Sequence, residues 1–128
     1  MWLFNSIKVT ELCYCQYIKN YQICFYDFNK RKLKSSLSNI NCNGYTFRIF
    51  NMITKDLLAV GGVNKIYIIN INLYSLVREI EIPNSNIFRF CKINENIFFT
   101  GDNNGAIIQW KIEGNYIIEI SKKRKSSF

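Results

Sequence analysis

Few side chains in the 128-residue sequence can do chemistry. Proton transfer usually relies on histidine or on a carboxylate of shifted pKa, and histidine is absent. No serine or cysteine therefore has an imidazole to activate it as a nucleophile. Cys13, Cys15, Cys24, Cys42 and Cys91 are odd in number and form no CxxC pair, which argues against both a zinc site and a disulfide framework. Two apart on a strand, Cys13 and Cys15 share a face and read as small buried hydrophobes. Glu79 and Glu81 also share a strand face, where solvated surface residues are the ordinary reading. Gly61-Gly62 and Gly101 to Gly105 lack the GxxxxGK[ST] spacing of a phosphate loop, and no helix follows them to hold an anion. These residues point away from an enzyme and call for no cofactor or metal.

The charge has a location. Lys30, Arg31, Lys32 and Lys34 form one basic cluster and Lys122, Lys123, Arg124 and Lys125 another, with no acid in either. The other nine of the 17 basic residues match the nine acids, so the net +8 sits in two short segments of a neutral body. The second cluster, in a tail over 121–128, has the form of a compact nuclear address, and would also suit nucleic acid or an anionic membrane surface. The ordinary reading is a solvated tail after the last strand, since four basic residues in a row are common by chance. The first falls on a turn and an outer strand, where lysines keep an exposed edge from pairing with another chain.

The elements that must position these groups are strands. Short runs rich in Ile, Val, Phe and Tyr alternate with Asn, Gly and Asp, and no 12-residue window sustains helical spacing. Pro83, the single proline, reads with Asn84, Ser85 and Asn86 as a loop between strands. The chain is long enough to bury roughly two thirds of its extended surface, so a real core is expected. No apolar run approaches the roughly 18 residues of a membrane span, and Met1 to Thr10 lacks the charged start and apolar stretch of a signal peptide. With no N-x-S/T triplet and no disulfide pattern, the expected setting is intracellular, in the cytoplasm ahead of the nucleus. The abundance of Ile, Asn, Lys, Tyr and Phe matches AT-rich coding and needs no functional account.

The strands recur. Gln22 to Phe28, Lys65 to Ile71 and Ala106 to Ile112 share one column pattern, with Tyr26, Ile69 and Trp110 spaced by 43 and 41 residues. Each follows another apolar strand, Leu12 to Cys15, Leu57 to Val60 and Ile97 to Thr100, and the last two end at Gly61 and Gly101. Further upstream stand Phe47-Arg48-Ile49 and Phe88-Arg89-Phe90, with Trp2-Leu3-Phe4 a poorer counterpart. Downstream come Leu33 to Leu37, Ser75 to Ile80 and Tyr116 to Ile120.

Four strands per unit of about 41 residues resembles the WD40-repeat β-propellers, whose blades are four-stranded and antiparallel. The third unit carries the closest likeness, Gly101-Asp102-Asn103-Asn104-Gly105 followed by a strand ending in Trp110. Asn104-Gly105 favours the left-handed dihedrals of a tight hairpin, and Trp110 is expected to pack between blades. The family's tryptophan-aspartate pair is Tyr26-Asp27, Ile69-Asn70 and Trp110-Lys111 here, so no unit has both residues. Its glycine-histidine pair cannot occur. The resemblance implies a hydrogen-bond network of histidine and turn aspartate in each blade, and these blades are expected to rely on apolar packing instead. The alternative all-β reading, an irregular sandwich, does not require the recurrence.

The expected fold is thus all-β, an incomplete WD40-like ring over residues 1–120, with blades near 2–42, 43–83 and 84–120. Closed propellers have roughly four to eight blades, so further blades, a second copy or another protein must complete it. The resemblance implies a non-catalytic scaffold binding proteins through the loops of one face: Gly62 to Asn64, Asn84 to Asn86, Asp102 to Asn104 and Asn39 to Asn43. The alternatives are a truncated piece of a larger propeller and a basic nuclear or nucleic-acid-associated protein.

Overall fold

The computed structural model describes residues 4–8, 11–17, 21–37 and 49–124, and every regular element among them is a β-strand. The first four are β1 (Phe4–Lys8), β2 (Glu11–Tyr17), β3 (Tyr21–Asp27) and β4 (Lys32–Leu37), antiparallel neighbours in chain order. Then come β5 (Ile49–Met52), β6 (Leu57–Gly61), β7 (Val63–Asn70), β8 (Ser75–Lys92), β9 (Ile97–Asp102), β10 (Ile107–Glu113) and β11 (Tyr116–Lys123), which also pair antiparallel in chain order. Strand β8 pairs with β7 as far as Asn86 and with β9 from Ile87 onward. The seven strands are therefore two four-stranded units that share one long strand.

Pro83 does not open a loop, as its sequence suggested. Lys65 opposes Glu81 and Val63 opposes Asn86, so Ile82 to Ser85 bulge opposite the single Asn64. Asn84 takes a positive φ of 59° at this bend, and Pro83, which has no N–H to donate, sits where the ladder is already broken. Strand β5 begins at Ile49. Phe47, Arg48, Trp2 and Leu3 lie outside the described residues, as does the Asn39 to Asn43 loop.

Alternation decides the packing. On β6, Leu58 and Val60 turn to the first unit, where they meet Ile23, Phe25, Tyr67 and Ile69 in one core. Leu57 and Ala59 turn the other way and join Ile66, Ile68, Phe98, Ile108 and Trp110 in a second. All five residues of β6 are buried, the continuous apolar run of a strand covered on both faces. Each such aliphatic side chain contributes about 1.5–3 kcal/mol on burial. The inner strands lie side by side, β1 against β5 and β5 against β8. At Gly61 a β-carbon would stand 3.1 Å from the Ile87 Cβ, so a side chain there would press on the third unit. Gly101, at the same place one unit later, has only the Arg89 Cβ at 4.0 Å.

The turns after β3 and β7 explain part of the repeat signature. Asp27 Oδ1 accepts the N–H of Asn29 at 2.9 Å and of Lys30 at 3.1 Å. Asn70 Oδ1 accepts those of Asn72 at 2.8 Å and Leu73 at 3.1 Å. Both four-residue turns close on a residue of positive φ, Arg31 and Tyr74. Lys111, in the same column, needs no such cap. Strand β10 runs two residues further, to Glu113, and turns tightly at Gly114-Asn115.

Candidate functional site

The loops expected to form an interaction face gather at one end of the second and third units. Strands β6 and β7 are joined by a short turn in which the Gly62 N–H bonds the Lys65 carbonyl at 2.9 Å, with Asn64 at φ 61°. The β9–β10 turn is one residue longer, and Asp102 organises it. Asp102 Oδ1 accepts the N–H of Asn104 at 2.9 Å and of Ala106 at 2.8 Å. Gly105 has φ 78°, while Asn104 keeps a negative φ, so the turn is not the doubly left-handed hairpin that Asn104-Gly105 suggested. The reason is the carboxylate, which ties two amides of a wider loop.

The bend of β8 lies between these turns and joins them. Asn64 Oδ1 accepts the Ser85 N–H at 3.0 Å, and the buried Ser85 hydroxyl donates to Asp102 Oδ2 at 2.6 Å. The Asn104 side-chain amide donates to the Asn84 carbonyl. Asn64, Asn84, Asp102 and Asn104 are thereby one rim, with the exposed Asn103 beside them. Asn86 pairs with Val63 at its base. Burial opposes the charge on Asp102, but the Ser85 hydroxyl, the two amides and the nearby Lys122 outweigh it and hold the carboxyl below its ordinary value.

A second polar pair lies beneath. The indole Nε1–H of Trp110 donates to Thr100 Oγ1 at 2.9 Å, and both residues are buried. Trp110 stacks on Phe98, with centroids 6.2 Å apart, and packs between the second and third units as expected. The expectation that every unit relies on apolar packing alone is thus corrected for the third, where Ser85 donates to the turn aspartate. Sequence reasoning misses Ser85 and Thr100 because serine and threonine carry no signal of their own at these spacings. Around Ile69, by contrast, the neighbours Leu58, Val60 and Tyr67 make an apolar core.

The basic clusters fall at opposite ends. Lys30 and Arg31 occupy the β3–β4 turn, with Lys32 and Lys34 following on β4. Lys122 and Lys123 are not tail residues but the end of β11, opposite Ile108 and Ile107 near the Asp102 rim, with exposed Arg124 next. Lys125 lies outside the described residues. Glu79 and Glu81 are exposed, and Glu79 pairs with Lys65. Cys24 is buried and Cys91 exposed. The side chains of Cys13 and Cys15, and all of Cys42, lie outside the described residues. Among the described residues no three His, Cys, Asp or Glu side chains cluster as metal ligands, and no helix is long and apolar enough to cross a membrane.

No protein-family model and no curated protein matches the chain. Solved structures do. The chain is similar to one in the "Crystal Structure of Mitotic Checkpoint Complex", with a TM-score of 0.69 and 12% identity over 88% of this chain and 35% of that one. It is also similar to the Cps50 (Swd1) β-propeller domain of Myceliophteria thermophila, with a TM-score of 0.67 and 9% identity over 87% of this chain and 33% of that one. The fold is a partial β-propeller. Its three four-stranded units are blades, and β8 is the crossing from the outer strand of one blade to the inner strand of the next. The chain spans about a third of the length of the two solved chains it matches.

Proposed function

We propose that the protein is a non-catalytic interaction scaffold that binds another protein on the rim formed by Asn64, Asn84, Asn86 and Asp102 to Asn104. The observation that carries this reading is the hydrogen bonding of Asn64, Ser85, Asp102 and Asn104 across two blades. A preorganised surface loses little entropy when a partner docks. The rim is rich in amide groups and carries one carboxylate, which suits a polar protein surface. One similar structure is described as a complex and the other as a propeller domain, and both descriptions accord with protein partners.

The test is capture of binding proteins by the tagged chain, with Asn103→Arg on the rim. Partners lost while the unfolding midpoint stays unchanged support the assignment. Partners kept by the folded variant would sink it. The proposed location is intracellular, with the cytoplasm ahead of the nucleus, and fractionation of source cells reads it directly.

A second reading, a piece of a longer propeller, is favoured by the chain's one-third share of similar structures. A nucleic-acid role gains less support, since its two basic clusters lie at opposite ends of the blades and form no single track.

A further inference from the structure

The end of the blades opposite the rim holds the β3–β4, β5–β6 and β7–β8 turns. The last two are tied together, for the Ile71 N–H donates to the Asp56 carbonyl at 3.0 Å and the Asn72 side-chain amide to Asp56 Oδ1 at 2.7 Å. Tyr74 fixes the β7–β8 turn to the first blade. Its ring stands edge-on to Phe25 at 4.9 Å between centroids, and Lys34 Nζ lies 5.4 Å from its centre. The β3–β4 and β7–β8 turns are thus neighbours of the same length, and what they present differs. The third position is Lys30 in one and Leu73 in the other.

Leu73 is 73% exposed, the most exposed large apolar side chain among the described residues. Asn70 Oδ1 accepts its N–H at 3.1 Å, so this exposure belongs to an ordered turn. Beside that turn lie exposed cations: Lys30 and Arg31 on the β3–β4 turn, Lys32 and Lys34 on β4, and Lys55 on the β5–β6 turn. The carboxylates described there, Asp27 and Asp56, bond to the turns they organise. Glu95 and Glu113 stand at the same end of the third blade, so the positive patch is confined to the first two.

A positive patch alone would suit any polyanion. The leucine among the cations selects between them. A phosphate backbone offers it no apolar contact, whereas a bilayer takes the cations at its headgroups and the leucine just beneath. We propose that this end of the first two blades docks on an anionic phospholipid membrane, with Leu73 inserted and Lys30, Arg31, Lys32 and Lys55 against the headgroups. The surface is made of turns at the ends of the blades and not of a blade-to-blade face, so further blades on either side would leave it open. The rim, at the opposite end, stays turned to solution.

The test is sedimentation of the 128-residue chain with vesicles of phosphatidylcholine, alone or mixed with phosphatidylserine, at low and high salt. Expected is binding to the anionic vesicles only, falling as salt rises. With circular dichroism unchanged, Lys30→Glu combined with Lys32→Glu should weaken it at least ~30-fold, and Leu73→Ser about tenfold. Lys122→Glu combined with Lys123→Glu should change it less than about threefold, since charges at the far end of the blades are screened. Equal binding to neutral vesicles, binding to neither, or loss with Lys122 and Lys123 in place of Lys30 and Lys32 would overturn the proposal. Indifference to Leu73→Ser would overturn it equally, and would hand the patch to nucleic acid or to an acidic protein.

Discussion

Val60 and Thr100 stand at the same point of the repeat, as do Ile69 and Trp110, and Gly62 and Asp102. In the middle blade all three positions are apolar or bare, and in the third all three carry hydrogen-bonding groups. The middle blade is sandwiched, so Leu57 to Val60 gain from burial on both faces and need no directional bonds to fix the strands. The third blade is covered on one face, and its order is reinforced by Thr100 on Trp110 and by Asp102 on its turn and on Ser85. A repeat can thus reach the same backbone through packing or through polar ties.

Substitutions that break this contrast rank by the area or the bond they remove. Trp110→Ala should cost about 3–5 kcal/mol in a urea titration, because it opens a cavity at the blade contact and strands the Thr100 hydroxyl. Equal stability would mean that the two blades do not pack. Gly61→Ala should cost about 1–3 kcal/mol, since the new methyl presses on Ile87. Gly101→Ala in the dilute chain should stay within about 0.5 kcal/mol, since the new methyl meets only the Arg89 Cβ at an ordinary 4.0 Å. Similar costs for both would erase the asymmetry of the faces.

Thr100→Val keeps the shape but orphans the buried indole N–H, and should cost about 1–2 kcal/mol. The converse, Val60→Thr, should also destabilise, by placing a hydroxyl in the apolar core of the middle blade. A stabilising Val60→Thr would show that the middle blade can also use a polar tie.

Acid reads the Asp102 turn separately. Its carboxyl is held below the ordinary value in the folded chain, so its contribution is present above the unfolded pKa of about 3.9 and is lost as pH falls through the lower folded value. Amide exchange at Asn104 and Ala106, corrected for its intrinsic pH dependence, should lose protection below about pH 4. In Asp102→Asn that loss should vanish. Asn70→Ala should cost about 0.5–1.5 kcal/mol from the turn it caps, and Lys111→Ala in the same column should have less effect.

Much of this is legible in the amino-acid sequence alone. The spacing of Tyr26, Ile69 and Trp110 marks three units, and Ile69 and Trp110 each place a large apolar side chain against the blade before it. The loops of the rim are legible as Asn-rich and Gly-rich turns. What stays hidden in the sequence has a physical reason in each case. Pro83 looks like a breaker, yet a bulge opposite Asn64 lets it remain in a strand. Ser85 and Thr100 are recognisable only from where their hydroxyls point. Lys122 and Lys123 resemble a tail until their pairing with Ile108 and Ile107 is known.

The central claim is that these are stacked propeller blades and that, among the described residues, the middle one is better covered than the third. Hydrogen exchange on the dilute chain tests it most directly, by comparing β6 and β7 with the equivalent β9 and β10. The account predicts the slowest amides in Leu58 to Val60 and Ile66 to Ile69, with faster exchange at the matching positions of the third blade. Protection as strong in β9 and β10 as in β6 and β7, in a chain shown to be monomeric, would contradict it.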